Sequence, residues 1–204
     1  MNAFLSSKKL DKKFYTRYVK IVAVDLLGKI LVKKEDNSVL AGKIVEVEAY
    51  DGSIDEAAHT YIGKTRRNEI MFKDGGYFYV YFTYGAHFCC NVVTGKEEQG
   101  TAVLLRAIEP VVGLNKMIRN RFGRNLLNEK ERFNLTNGPG KVCQAMGINK
   151  THYGVDLTLD NIFILDAPKI KKNLITVTKR VGIKKSVDLP WRFYIRDNPY
   201  VSRK

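Results

Sequence analysis

The stretch Ile44-Val-Glu-Val-Glu-Ala-Tyr50 constrains the fold more than any other. Its β-branched residues alternate with other side chains, the pattern of a strand. Val45, Val47 and Ala49 are expected on one side, and Ile44, Glu46, Glu48 and Tyr50 on the other. Two carboxylates on one strand face need a reason in a chain with 35 Lys+Arg against 21 Asp+Glu, a formal charge of +14. A tyrosine follows them on that face, and His59 arrives after the acidic turn 51–58. The pattern points to a pocket in which Glu48 is a catalytic base and Tyr50 and His59 are walls.

The bulk properties bound the rest. A chain of 204 residues, 45% hydrophobic, can bury one sizeable core. We expect a basic, loose N-terminal arm over residues 1–13 and a single domain over 14–204. The cationic excess suits a polyanionic partner, nucleic acid first and an anionic membrane second. A soluble basic protein without such a partner has the same charge. No apolar run approaches the roughly 20 residues that span a bilayer, and the N-terminus lacks the apolar core of a signal peptide. The expected location is cytoplasmic (at the nucleoid in a bacterium), or nuclear in a cell with a nucleus. The three cysteines are Cys89, Cys90 and Cys143. An odd number with two adjacent argues against a disulfide framework, and no spacing suits zinc.

In chain order, residues 14–27 have helical spacing and Gly28 ends the run. Residues 29–34 and the strand after Val39 are expected to pair as a hairpin across the turn at Asp36-Asn37-Ser38. Residues 51–76 are turn-rich and carry Lys64, Arg66 and Arg67; a solvated face and a phosphate-contacting loop account for this cluster equally. In 77–93, Tyr77, Tyr79, Tyr81 and Thr83 alternate with Phe78, Val80, Phe82 and Tyr84. A return strand follows Gly85, which permits a tight turn. Tyr84 falls at the hairpin tip, placed to enter a base stack as a wedge. Residues 101–107 form a strand interrupted by Arg106. Buried, that arginine needs a carboxylate: Glu46, Glu48 or the nearer Glu109. Residues 113–122 read as a helix, 124–134 as a mobile loop, and 142–146 as a short helix. Lys141 and the backbone after Gly138-Pro-Gly140 are candidates to hold a phosphate, although a Pro/Gly turn explains the same residues. Weak alternation in 157–165 and 174–181, and Trp191-Arg-Phe-Tyr-Ile195, suggest closing strands. Hairpin-length connections predict an α+β domain with a mainly antiparallel sheet and peripheral helices.

These parts share one use. An enzyme that acts on a base within a duplex extrudes the nucleotide, fills the gap and stacks the base on aromatic rings. A carboxylate then activates water against the sugar C1′ through an oxocarbenium-like transition state. Aromatic walls favour a cationic alkylated purine by roughly 0.5–2 kcal/mol per ring. No metal or organic cofactor is needed. The expected pocket strands carry no lysine for a Schiff base, so hydrolysis without strand cleavage is expected.

The residues that assemble this picture resemble the alkyladenine (3-methyladenine) DNA glycosylases of the human-type methylpurine family. The resemblance runs from about Phe14 to Arg203. It is carried by Ile44 to Tyr50, Ala57-Ala-His59, Arg67-Asn68, Tyr79-Val-Tyr81, Tyr84-Gly85, Asn91, Leu105-Arg-Ala107, Gly138-Pro-Gly-Lys141 and Trp191-Arg-Phe-Tyr-Ile-Arg196. It implies a curved antiparallel sheet with a protruding hairpin that enters the minor groove. It implies Glu48 as the general base and Arg106 as the residue that helps hold the water. Tyr50 and His59 become stacking walls, with Tyr81 at the pocket edge. The backbone near Ala57 and His59 reads the base, and Asn91 disfavours guanine by crowding its amino group. Tyr84 becomes the intercalating wedge. Arg66, Arg67 and Lys141 are candidate contacts to the DNA backbone. The implied partner is double-stranded DNA with damaged purines, met by a monomer and not at a membrane. Arg66 departs from a proline usual in the family, and Ala86 from a larger residue.

Two other readings use the same residues. A non-catalytic nucleic-acid binder has the basic patches but no use for Glu48. A nucleoside or glycan hydrolase pairs Glu46 with Glu48, roughly 7 Å apart along a strand, a spacing that suits an inverting mechanism.

Overall fold

The strand that opened the sequence reading is the centre of the sheet. In the computed structural model, which describes residues 7–35, 38–83, 85–159 and 161–202 (without the Lys130 side chain), β2 runs over Ser38–Asp51. On one edge its first half pairs with β1 (Ile30–Glu35), from Ile30 opposite Lys43 to Glu35 opposite Ser38. Its second half pairs on that edge with β8 (Arg192–Ile195) at Glu46, Val47 and Glu48. The other edge pairs with β5 (Thr101–Val112). Beyond β5 come β4 (His87–Thr94) and β3 (Phe78–Thr83), which form the expected hairpin. β6 (Ile162–Leu165) flanks β1, and β7 (Ile175–Thr178) flanks β8. The order is β3-β4-β5-β2-β1-β6, and every pair is antiparallel. The curled antiparallel sheet with a few helices makes the expected α+β domain.

Strict alternation fails at one place in β2. Ile44 pairs with Ile108 and Glu46 with Ala107, so Val45 is an extra residue on β2. Glu46 pairs with Ala107 but Val47 with Leu105, so Arg106 is an extra residue on β5. An inserted residue reverses which side the chain beyond it faces. Ile44 therefore joins Val47 and Ala49 in the main core. Val45, expected beside them, packs in a separate cluster with Ala107 and Tyr200.

Helices cover the apolar side of the sheet. α2 (Val19–Leu26) buries Val22, Ala23 and Leu26 in the core shared with Val47, Val103 and Leu105. α5 (Pro139–Met146) adds Val142, Cys143 and Met146, and α3 (Leu114–Phe122) adds Met117 and Ile118. Burying each such aliphatic side chain contributes about 1.5–3 kcal/mol.

The run expected as one helix over 14–27 is two, because α1 ends early at Lys12–Tyr15. The Tyr15 carbonyl accepts from Gly95 N at 3.0 Å, and Arg17 turns back to Phe14 O and Asp25. Residues 124–134, expected as a mobile loop, contain α4 (Glu129–Asn134). Asn128 caps the Glu131 N–H while the Glu131 carboxylate takes the Asn128 N–H, a reciprocal cap legible as Asn-x-x-Glu. Of the expected loose arm, residues 1–6 lie outside the described residues. The rest is tied down: Lys9 bridges Leu165, Leu10 N donates to Ile164 O at 2.8 Å, and Leu10 is buried. At the hairpin turn Gly85 takes φ +63° and Ala86 N donates to Thr83 O. Tyr84, expected at that tip, lies outside the described residues. No helix among the described residues is long and apolar enough to cross a membrane.

Candidate active site

Strand alternation that buries one residue in the core offers its neighbour to the other side of the sheet. Phe78, Val80, Cys90, Val92, Val103 and Leu105 belong to the core. Tyr79, Tyr81, Cys89, Asn91, Leu104 and Arg106, their neighbours, line a cavity of about 550 Å³. β2 adds Tyr50, and the turn after it adds Ala57 and His59. A loop far along the chain, 181–185, supplies a further part of the wall. Gly52 lets the turn pass close to Thr60: a Cβ there would stand 2.7 Å from that of Thr60. Ser53 N and Oγ bond Asp51 Oδ1, and Thr60 Oγ1 bonds Gly100 O at 2.6 Å, which brings His59 back over the sheet.

Glu48 lies beneath this cavity. Its side chain is fully buried. Its Oε2 accepts from the Tyr50 hydroxyl at 2.8 Å, and its Oε1 accepts from Val181 N at 2.7 Å. Arg106 Nη1 stands 3.4 Å from the same Oε1. All three partners line the cavity. These contacts occupy three of the about four acceptor positions of an ionised carboxylate. The Tyr50 phenol is held well above its ordinary range, first by burial and then by the charge of Glu48, so it remains a donor.

The second carboxylate has another task. Glu46 Oε1 accepts from Arg106 Nε at 3.0 Å, Arg192 Nε at 2.7 Å and Ser202 Oγ at 2.9 Å, and Oε2 accepts from Ser202 N at 2.7 Å. Of the three carboxylates open to Arg106, Glu46 and Glu48 are its partners. Glu109 pairs instead with Lys43 and Asn198.

The opposite wall is aromatic. The His59 ring meets Tyr81 edge-on at 4.6 Å between centroids and Tyr79 at 5.9 Å, with Nδ1 2.8 Å from the Tyr79 hydroxyl. Tyr79 and Tyr81 stack at 5.2 Å. Burial, then the charge of Arg67, holds the imidazole below its ordinary range. Asn91 donates to Tyr79 O at 3.3 Å. Burial pushes the Cys89 thiol up to about 12, which leaves it a poor nucleophile.

Arg66 and Lys141 stand apart, while Arg67 reaches the aromatic wall, its guanidinium carbon 5.6 Å from the Tyr81 ring centroid. Arg66 and Arg67 line a second cavity of about 650 Å³ with Phe82, Phe88 and Lys150. Lys141 turns its ammonium to Asn134 and to Asn137 Oδ1 at 2.7 Å. No group of three or more His, Cys, Asp or Glu among the described residues is placed to hold a metal. Val181, Tyr79 and the buried pair Asp55–Arg180 were given no role in the site from sequence. Val181 is 133 positions from Glu48 and acts through its backbone N–H, which no residue type announces.

A buried carboxylate held by an arginine, under a cavity walled by tyrosine and histidine rings, equips a hydrolase for a flat heterocycle and the bond that attaches it. The methylpurine-DNA glycosylase profile matches residues 13–199. A protein of Clostridium novyi (strain NT) is 47% identical over 203 residues, 97% of this chain and 100% of its own. One of Alkaliphilus oremlandii (strain OhILAs) is 47% identical over 202 residues, 96% and 100% of the two chains. One of Carboxydothermus hydrogenoformans is 46% identical over 196 residues, 96% and 99%. All three carry the name "Putative 3-methyladenine DNA glycosylase". The chain belongs to the methylpurine-DNA glycosylase family, hydrolases of N-glycosyl bonds in DNA.

Proposed function

We propose that this enzyme excises alkylated and deaminated purines from duplex DNA: 3-methyladenine, 7-methylguanine, hypoxanthine and ethenoadenine. The observation that carries the reading is the Glu48 carboxylate, held by three groups that each line the cavity. The flipped purine lies between Tyr50 and His59, with Tyr81 at its edge. Glu48 takes a proton from water as the water attacks C1′, and Arg106 holds that water. The same buried negative charge stabilises the oxocarbenium-like transition state. The base leaves, the strand stays intact, and the backbone near Ala57 and His59 reads the base edge. Asn91 crowds the amino group of guanine. Tyr84 fills the gap in the stack, and Arg66, Arg67 and Lys141 face the DNA backbone. The enzyme acts as a monomer without cofactor.

The test is base release from duplexes that each carry one of these lesions. We expect release without strand cleavage, weakening steeply as salt rises because the +14 chain displaces counterions from phosphate. Tyr84→Ala is expected to lose duplex binding or excision. Wild type that frees no base from any duplex would sink the proposal.

His59 gives a pH signature. Its lowered value leaves the ring neutral at neutral pH, so it does not repel a cationic purine. As pH falls through that value the ring gains charge. Release of cationic 7-methylguanine is then expected to fall more than release of neutral hypoxanthine, in single-turnover assays from about pH 8 to 5. The stability sign follows. The folded value lies below the unfolded one, about 6.5. This contribution is complete above the unfolded value and is lost as pH falls from there through the folded one.

A further inference from the structure

Arg180 lies just before the residue whose N–H holds Glu48, yet it is not part of the cavity wall. Its side chain is fully buried, as is that of Asp55. Both terminal nitrogens meet Asp55, Nη2 at 2.8 Å from Oδ1. Nη1 also donates to Ala49 O at 3.1 Å, and Nη2 to Ser186 O at 3.3 Å. The guanidinium carbon stands 4.6 Å from the Tyr50 ring centroid and 5.7 Å from that of Trp191. Nε is buried and has no hydrogen-bond partner among the described residues. That edge gives up an acceptor for a place among aromatic rings. Tyr50 has two faces and lines the cavity. Because Arg180 is buried and does not line the cavity, we infer that the face it covers is the one turned away from the cavity.

We propose that Arg180 sets the charge preference of the pocket: its guanidinium, backing Tyr50, weakens that ring's attraction for a cationic base and so raises the relative excision of neutral lesions. The inference rests on the function proposed above. An unbacked tyrosine favours a cation on its face through the ring quadrupole. A cation already on the far face opposes a second one across the ring, at roughly 8 Å if the base stacks about 3.5 Å from it. Water does not screen charges in this buried layer as it does at a surface. Asp55 neutralises the pair overall, but the guanidinium is the member in contact with the ring.

The experiment compares single-turnover release of cationic 7-methylguanine and neutral hypoxanthine from one duplex sequence, with melting temperatures as the check on folding. The double variant Arg180→Gln with Asp55→Asn removes both charges and leaves no buried ion unpaired. Its ratio of 7-methylguanine to hypoxanthine release is expected to rise about threefold, the size of a modest cation–π change. Asp55→Asn alone leaves the guanidinium without its counter-charge, so the ratio is expected to fall. Arg180→Lys keeps a buried ion pair but draws the charge off the ring plane. It is expected to raise the ratio about twofold, and it carries the test should the double variant not fold. A purely structural pair would slow both substrates alike. Ratios unchanged from wild type in the folded variants would overturn the inference. Wild type that releases neither base would instead overturn the glycosylase reading itself.

Discussion

Glu48→Gln is expected to slow base release by about 10²–10⁴-fold, the range for loss of a general acid or base, while the protein stays folded. The amide has the size of the carboxylate. Its oxygen can keep the Val181 N–H. The Tyr50 hydroxyl, which donates to Glu48 at 2.8 Å, can rotate and accept from the new NH2. Arg106 keeps Glu46 at 3.0 Å. What disappears is the proton acceptor and the negative charge that the proposed mechanism requires. Single-turnover assays on a hypoxanthine duplex, with a thermal melt beside them, separate chemistry from folding. A variant at full rate would remove Glu48 from the mechanism and leave the family membership untouched.

Glu46→Ala is expected to act on stability instead. Four donors converge on its two oxygens: Arg106, Arg192, and the backbone and hydroxyl of Ser202. Removing the carboxylate leaves Arg192 and Arg106 buried with less counter-charge and frees Ser202 from β2. Breaking a buried pair in this way costs about 3–5 kcal/mol. Denaturant titration should show that loss, and the melting temperature should drop by about 2–4 °C for each kcal/mol. The same variant tests the two-carboxylate hydrolase reading. If Glu46 were the partner acid or base, activity would vanish with stability intact. Its four internal donors argue for the opposite, activity reduced only as far as folding is.

Much of the architecture was legible because β-strands write their burial pattern at period two. Tyr79 and Tyr81 against Phe78 and Val80 declared the two faces of a hairpin. Arg106 in an apolar run declared a buried ion that needed a carboxylate. The helix-stopping Gly28 and the tight turn at Gly85 were readable because only glycine takes those left-handed angles without cost. The errors have identifiable structural causes. The bulge at Val45 carries no special residue type, and it moved Ile44 into the main core. The early end of α1 is set by Gly95, a residue of another segment. The Asn128–Glu131 cap was readable but is only a few residues long amid polar neighbours.

The active site divides in the same way. Residue types and their order along the chain were enough to name the family to which the chain belongs and to single out Glu48, Arg106, Tyr50 and His59 as candidates. They favoured Glu48 beside Tyr50 but gave no physical reason to pass over Glu46, since both sit on one strand in similar company. Folding separated the two. Two neighbouring bulges bring Arg106 to both carboxylates, Ser202 and Arg192 fill Glu46, and Val181 arrives on Glu48 from 133 residues away. A carboxylate's role depends on which donors reach its oxygens, and those donors come from distant segments through backbone N–H groups and strand register, neither of which residue identity records.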